Sequence, residues 1–101
     1  MKILADASRE APFTTPEGAE RRILSYGGGM MLAQFTFDAG VTAPIHSHPH
    51  EQIGYVVAGE LDLLMEGQAT RRLTAGCSYY VAPNVRHAST KRRHPRKEWI
   101  I

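Results

Sequence analysis

The chain has 101 residues, of which 43% are hydrophobic and 22% are charged. This length and composition are those of one globular domain, and they exclude a fibrous or an intrinsically disordered protein. No apolar run approaches the ~18 residues that a membrane span requires, so we expect no membrane association. The N-terminus has no signal-like apolar segment, and the single cysteine, Cys77, cannot form an internal disulfide. We therefore expect a cytoplasmic protein.

The formal net charge of +2 is concentrated at the C-terminus. Residues 89–101 contain five of the twelve lysines and arginines but only one acidic residue. A basic cluster can neutralise the phosphates of a nucleic acid. Because no nucleic-acid-binding module accompanies it, we do not expect nucleic acid as a partner, and we interpret the tail as a solvated end with His94 on its surface.

Along the chain, residues 1–20 are predicted to form an irregular arm or an edge strand, because Pro12 and Pro16 interrupt any regular pattern. Short runs of strand length then alternate with turns that contain glycine or proline, and no window shows a sustained helical period. The predicted strands are residues 21–26, 30–37, 51–58, 60–66, 69–74 and 78–82. This pattern predicts an all-β sandwich or barrel.

Potential metal ligands are concentrated between the second and third predicted strands. His46 and His48 are two residues apart, so on a strand they would lie on one face with their α carbons roughly 6.5–7 Å apart. Gln52 is an even number of residues from both histidines, so its side chain can point to the same side and its amide oxygen can act as a ligand. A further ligand must come from elsewhere, and His87, which follows the turn at residues 83–84, is the candidate. The cluster predicts a metal site.

The spacing of glycines around these histidines resembles the first motif of the cupins. That motif runs glycine, five residues, His-x-His, three or four residues, glutamate, six residues, glycine. Gly40, His46, His48, Gln52 and Gly59 fit this frame, with Gln52 where glutamate is usual.

The second cupin motif runs glycine, five residues, proline, one residue, glycine, two residues, histidine. Gly76 and His87 fit its ends, with Ala82 in place of the proline and Asn84 in place of the turn glycine. Asparagine accepts a positive φ more readily than other non-glycine residues, so this exchange is mild.

The resemblance implies a single-domain cupin, a jelly-roll β-barrel over residues 21–88 that contains both motifs. Residues 89–101 would be a basic tail or a closing strand. The resemblance also implies one divalent transition metal ion held by His46, His48, Gln52 and His87. Within the cupins, the segment "HSHPHEQIGYVVAGELDL" is similar to small proteins of pectin and uronate degradation.

Gln52 in place of a glutamate changes the net charge of this implied site. Three imidazoles and one amide are neutral and leave the full +2 charge of the ion, whereas a glutamate would reduce it to +1. We expect the site to attract anions, including a substrate carboxylate. Nitrogen-rich ligation suits Ni, Zn, Co, Fe or Cu and admits Mn, and the lack of a carboxylate ligand argues against, without excluding, a metal-dependent dioxygenase.

No catalytic residue is assigned from the sequence. Strand alternation predicts that one of Tyr79 and Tyr80 faces the barrel interior, where it could orient a substrate hydroxyl. Phe35 and Met31 are candidates for the same pocket, although core packing is the first interpretation for both, as it is for Phe37, Leu63 and Met65. His50 and Glu51 are interpreted as rim residues.

Two functional hypotheses remain. The first is an enzyme that uses Lewis-acid catalysis on a small anionic oxygenated molecule, such as the isomerisation or tautomerisation of an unsaturated uronate. The second is a noncatalytic cupin that binds a metal or a small ligand. The tail favours the second, because it lacks the pattern Asp-Val-Phe-x-Pro-x-Arg of related uronate-processing cupins. The apolar end, Trp99, Ile100 and Ile101, predicts a homodimer.

Overall fold

The computed structural model describes residues 1–38, 40–91 and 96–100, with only the backbone described for Lys91 and for residues 96–100. These residues form one 3-10 turn and ten strands. In chain order they are η1 (Ala7–Arg9), β1 (Phe13–Thr14), β2 (Glu20–Gly27), β3 (Met30–Phe37), β4 (Thr42–His46), β5 (Gln52–Val56), β6 (Glu60–Met65), β7 (Arg71–Thr74), β8 (Ser78–Val81), β9 (His87–Lys91) and β10 (Arg96–Ile100).

The strands form two antiparallel sheets with the core between them. One sheet has six strands in the order β1-β2-β3-β10-β5-β8, and the other has four in the order β4-β9-β6-β7. The largest fully buried side chains are Leu61 of β6, Val56 of β5 and Val81 of β8, so both sheets contribute to the core.

Strand β5 shows how the sequence sets the two faces of the larger sheet. Gln52, Gly54 and Val56 are buried, whereas Ile53 and Tyr55 between them are exposed. Because successive side chains point to opposite faces, β5 turns its even-numbered residues inward. The polar Gln52 is therefore carried to the inner face at the beginning of the strand.

The prediction of an all-β single domain is confirmed. The six predicted strands correspond to β2, β3, β5, β6, β7 and β8, each within two residues at either end. Strands β4 and β9 were not among them, because "TAPIH" contains a proline and "HASTK" is short and polar, which removes the apolar alternation that marks a strand. No helix in the described ranges is long and apolar enough to cross a membrane.

The two ends of the chain add to the six-stranded sheet. In the N-terminal arm, Lys2 forms an isolated antiparallel bridge with Tyr26. At the other end, β10 pairs with β3 on one side and with β5 on the other. The interpretation of His94 as a surface residue, and the dimer prediction from the side chains of Trp99, Ile100 and Ile101, lie outside the described residues.

A tyrosine ring fills the space above the central glycine of β5. A β carbon built on Gly54 would lie 2.2 Å from Cε1 and Cζ of Tyr79, the residue opposite it on β8. We therefore expect Gly54→Ala to lower the free energy of unfolding by about 1–3 kcal/mol, the usual cost of overpacking.

Urea denaturation measures this effect, and Gly29→Ala is the matched control. A β carbon at Gly29 meets nothing within 4 Å, and its φ is not positive. The control should be unchanged or up to about 1 kcal/mol more stable. Equal stability of the two variants would show that the Tyr79 ring does not occupy this space.

Candidate metal centre

Three of the four described histidines that the sequence singled out converge on one point. His46, His48 and His87 offer ring nitrogens that all lie within 4.8 Å of one another. Their ring centroids are 4.2 Å apart for His46 and His87, 5.0 Å for His48 and His87, and 5.7 Å for His46 and His48. The two motifs therefore meet in space.

The four-stranded sheet places two of these rings. His46 ends β4 and His87 begins β9, and the two residues are opposite each other in the antiparallel ladder. On the other side of β9, Met65 of β6 is opposite His87. Because residues that are opposite each other share a face, the rings of His46 and His87 are neighbours.

His48 reaches the cluster in a different way from the one predicted. Strand β4 ends at His46, so the prediction that His46 and His48 share one face of a strand is wrong. His48 lies in the following loop, where the backbone N–H of Asn84 donates to its carbonyl oxygen at 2.7 Å. Asn84 has a φ of 65°, as expected for the position where cupins have a glycine. The second motif therefore holds the loop of the first.

Each of the three rings is oriented by a backbone carbonyl two residues away. Nδ1 of His46 lies 2.8 Å from the oxygen of Pro44, Nδ1 of His48 lies 2.8 Å from that of His50, and Nδ1 of His87 lies 2.9 Å from that of Val85. A carbonyl oxygen can only accept, so Nδ1 donates in all three bonds. A neutral ring then carries its lone pair on Nε2, the tautomer that binds a metal through Nε2.

The buried member of the cluster has an unsatisfied nitrogen. His87 is 4% exposed, and its Nε2 is buried without a hydrogen-bond partner among the described residues. Burial lowers the pKa of His87, and the neighbouring His46 and His48 act in the same direction, while the bond to Val85 opposes them. The ring is therefore neutral near pH 7. A metal ion is the ligand that would satisfy a buried Nε2 lone pair, so this observation fits the metal that the motifs imply.

Gln52 faces the same cluster from the other sheet. It is 8% exposed, and its Oε1 lies 2.9 Å from Nε2 of His48, while its Nε2 donates to Oη of Tyr79 at 3.3 Å. With Nδ1 of His48 already donating, two lone pairs face each other across this short distance. A metal ion bound by both atoms would remove this repulsion.

The two tyrosines of β8 point to opposite faces of the sheet. Tyr79 is half-buried and contacts the amide of Gln52. Tyr80 is 48% exposed, and its hydroxyl donates to Oε2 of Glu51 at 2.6 Å. Tyr79 is thus the one that reaches the candidate centre, whereas Tyr80 and Glu51 form a pair on the outer surface.

The other two candidate pocket residues lie elsewhere. Phe35 is half-buried and stacks on the buried Phe37, with ring centroids 5.9 Å apart. Met31 is 48% exposed, so its interpretation as a core residue is wrong. It lines an apolar hollow of about 330 Å³ together with Met1, Tyr26 and Met30. None of the four candidate ligands is among the described residues that line this hollow.

Sequence reasoning did not find the groups that orient the rings. The carbonyl oxygens of Pro44, His50 and Val85 depend on backbone dihedral angles, which residue type specifies only weakly. The ring of His50, interpreted as a rim residue, is exposed but stacks on His48, with centroids 3.9 Å apart and planes at 6°. The only sequence signal for this contact is the His-Pro-His order of residues 48–50.

Comparison with known proteins supports this description. A profile of the family described as "Cupin domain" matches residues 33–93. The pectin degradation protein KdgF of Dickeya dadantii is 32% identical over 72 residues, which are 70% of this chain and 64% of that protein. The dimethylsulfoniopropionate lyase DddQ of Ruegeria pomeroyi is 50% identical over 38 residues, which are 38% of this chain and 19% of that protein. The chain spans less than two thirds of the length of both relatives.

A solved structure shows the same fold over nearly the whole chain. The RmlC-like cupin of Shewanella frigidimarina superposes with a TM-score of 0.90 and 26% identity, covering 99% of this chain and 88% of that one. The resemblance to small cupins of pectin degradation is confirmed by the match to KdgF, and the cupin fold is confirmed by this superposition. The profile match covers more than half of the chain, and the protein belongs to the cupins.

Proposed function

We propose that this cupin binds one divalent transition metal ion and acts as an enzyme on a small anionic oxygenated molecule. The ligands would be Nε2 of His46, His48 and His87 together with Oε1 of Gln52. The observation that carries the proposal is the set of three Nδ1–H···O=C bonds, which leaves the lone pair of each neutral ring on Nε2, in three rings whose nitrogen atoms lie within 4.8 Å of one another. Because all three rings have their proton on Nδ1, their Nε2 atoms are ready to bind an ion before the ion arrives.

The four donor atoms limit which metal ions the site can bind. Three imidazole nitrogens and one amide oxygen suit Ni, Zn, Co, Fe or Cu, and they admit Mn. All four donors are neutral, so a bound ion keeps its full charge and supplies Lewis-acid polarisation of a carbonyl or hydroxyl oxygen. The missing carboxylate separates this set from the facial triad of oxygen-activating iron enzymes, and a dioxygenase is the weaker alternative.

Gln52 and Tyr79 would determine how a substrate is attracted and oriented next to the metal ion. The neutral Gln52 maintains the positive potential that attracts a carboxylate. Tyr79 contacts the amide of Gln52, so its hydroxyl is placed to hydrogen-bond a substrate oxygen next to the centre. Both groups come from the inner face of the six-stranded sheet. They would orient an anionic molecule between the two sheets.

The similarity to the pectin degradation protein KdgF supports an unsaturated monouronate as the substrate and isomerisation or tautomerisation as the reaction. The 50% identity with the lyase DddQ supports a second candidate, the cleavage of a small carboxylate such as dimethylsulfoniopropionate. Both candidates require the anion-attracting charge of the centre. A noncatalytic metal-binding or ligand-binding cupin is the alternative from a different class.

The proposal includes a cytoplasmic homodimer. Ile53, Tyr55 and Tyr80 are exposed on the outer face of β5 and β8, with exposed fractions of 48%, 46% and 48%. Ile53 and Tyr80 are opposite each other in the ladder, so they form a contiguous apolar surface. Such a surface is typical of a protein interface and supports the dimer.

The first test removes the ligand that lies outside the strands. We expect His48→Ala to reduce the bound metal from one ion per chain to less than about a tenth, because one of the neutral donors is lost. The fold should remain, since the core between the sheets does not depend on this loop. Metal analysis after dialysis and circular dichroism measure the two effects, with His94→Ala, outside both motifs, as the control. Full metal content in His48→Ala would contradict the ligand assignment.

The second test changes the charge of the donor set. Gln52→Glu should retain the metal and bind azide at least fivefold more weakly, because a unit of charge near the ion changes the attraction by roughly 1 kcal/mol or more. Visible absorption of the Co²⁺-loaded protein reports azide binding. Thr14→Glu adds the same charge on the exposed strand β1, four strands away from β5 in the sheet, and should change azide affinity by less than about twofold. Tighter azide binding by Gln52→Glu would oppose the charge argument.

The third test addresses the reaction itself. The metal-loaded protein is incubated with an unsaturated monouronate while the absorbance of the conjugated enol is followed, and turnover of dimethylsulfoniopropionate is followed by NMR. We expect enol loss at least about a hundredfold above background, and none above background in His48→Ala. If neither compound reacts while metal and anion binding persist, the noncatalytic alternative replaces the enzyme.

A further inference from the structure

His48 is the only one of the three clustered histidines that no strand holds. His46 and His87 are opposite each other in the β4–β9 ladder, so the sheet limits the direction of both side chains. His48 lies in the loop between β4 and β5, where the N–H of Asn84 donates to its carbonyl oxygen. An anchored carbonyl fixes the backbone position but leaves the side-chain torsions free. The direction of this ring therefore needs another explanation.

Residues 48–50, the sequence His-Pro-His, provide it through two contacts with His50. The carbonyl oxygen of His50 accepts a hydrogen bond from Nδ1 of His48 at 2.8 Å. The ring of His50 lies parallel to the ring of His48, with a centroid distance of 3.9 Å and an angle of 6°. Pro49 disfavours a helical backbone at His48, which keeps the segment extended enough for the contact.

The two contacts restrict different motions of the same ring. The hydrogen bond sets which edge of the His48 ring faces the backbone and so directs Nε2 toward Gln52. The parallel contact covers one face of the ring and opposes its tilt. The neighbouring rings of His46 and His87 are inclined by 50° and 78°, so neither makes a parallel contact of this kind. Removing the His50 ring would leave that face open to water.

We propose that His50 is a positioning residue: its imidazole stacks on the ring of His48 and holds Nε2 of that ring in the direction that a metal ion requires. His50 is not itself a ligand in this proposal, because its ring acts through the flat face that stacks on His48 and not through a nitrogen atom. The role rests on the proposed metal site. It predicts that the shape of the His50 side chain matters and that its nitrogen atoms do not.

The test compares His50→Ala with His50→Phe. Alanine keeps the backbone carbonyl and removes the ring, whereas phenylalanine restores a flat ring without nitrogen atoms. We expect the dissociation constant for Co²⁺ to rise about tenfold in His50→Ala, the lower end of the effect of groups that orient metal ligands. In His50→Phe it should stay within about threefold of the unchanged protein. His94→Ala serves as the control and should bind Co²⁺ with unchanged affinity.

Two measurements separate positioning from a loss of fold. The visible spectrum of bound Co²⁺ should change in His50→Ala, because a freer ligand ring alters the coordination geometry, and should return in His50→Phe. Thermal unfolding of the metal-free variants should agree within a few degrees. Unchanged Co²⁺ affinity and spectrum in His50→Ala would overturn the proposal, as would equal weakening by alanine and phenylalanine. Failure of the unchanged protein to bind Co²⁺ would instead overturn the metal site itself.

Discussion

The antiparallel pairing of β4 with β9 is the constraint on which the candidate centre depends. It places His46 opposite His87 and so joins two sequence motifs that are far apart along the chain. A second link, from the N–H of Asn84 to the carbonyl of His48, fastens the loop of the first motif to the turn of the second. A slip of one residue in the β4–β9 register would turn one imidazole to the opposite face of the sheet, and the three rings would no longer lie together.

Given this scaffold, the chemistry of the centre follows from backbone carbonyl groups. Three carbonyl oxygens select the Nδ1–H tautomer of three rings, and burial keeps the His87 ring neutral. The lone pairs that result would repel one another unless a cation were present. The three rings therefore favour a positive ion at the cluster, and in the proposed site the neutral amide of Gln52 would add a donor without reducing the charge of that ion. Such a site would attract an anionic molecule.

Part of this arrangement could be predicted from the sequence and part could not. The spacing of His46, His48, Gln52 and His87 within the two motifs predicted which side chains would meet, because motif spacing reflects the geometry of the barrel. The positive φ of Asn84 was predicted as well, since asparagine adopts that conformation more easily than most residues. The position of His48 beyond the end of β4 was not predicted, because strand ends depend on pairing with distant residues.

The orienting contacts were beyond sequence reasoning for a related reason. The direction of a carbonyl group depends on local dihedral angles, and the stacking of two rings depends on side-chain rotamers, so neither leaves a pattern in residue type. Met31 shows the same limit: an apolar residue in a strand usually packs in the core, yet this one lines an exposed hollow.

The most direct test of the proposed metal centre is long-range nitrogen–proton NMR of the metal-free protein above pH 7, followed by addition of Zn²⁺. We expect Nδ1–H tautomers for His46, His48 and His87 and a shift of all three Nε2 signals with one equivalent of Zn²⁺; Nε2–H tautomers, or Nε2 signals that do not move, would contradict the proposed metal centre.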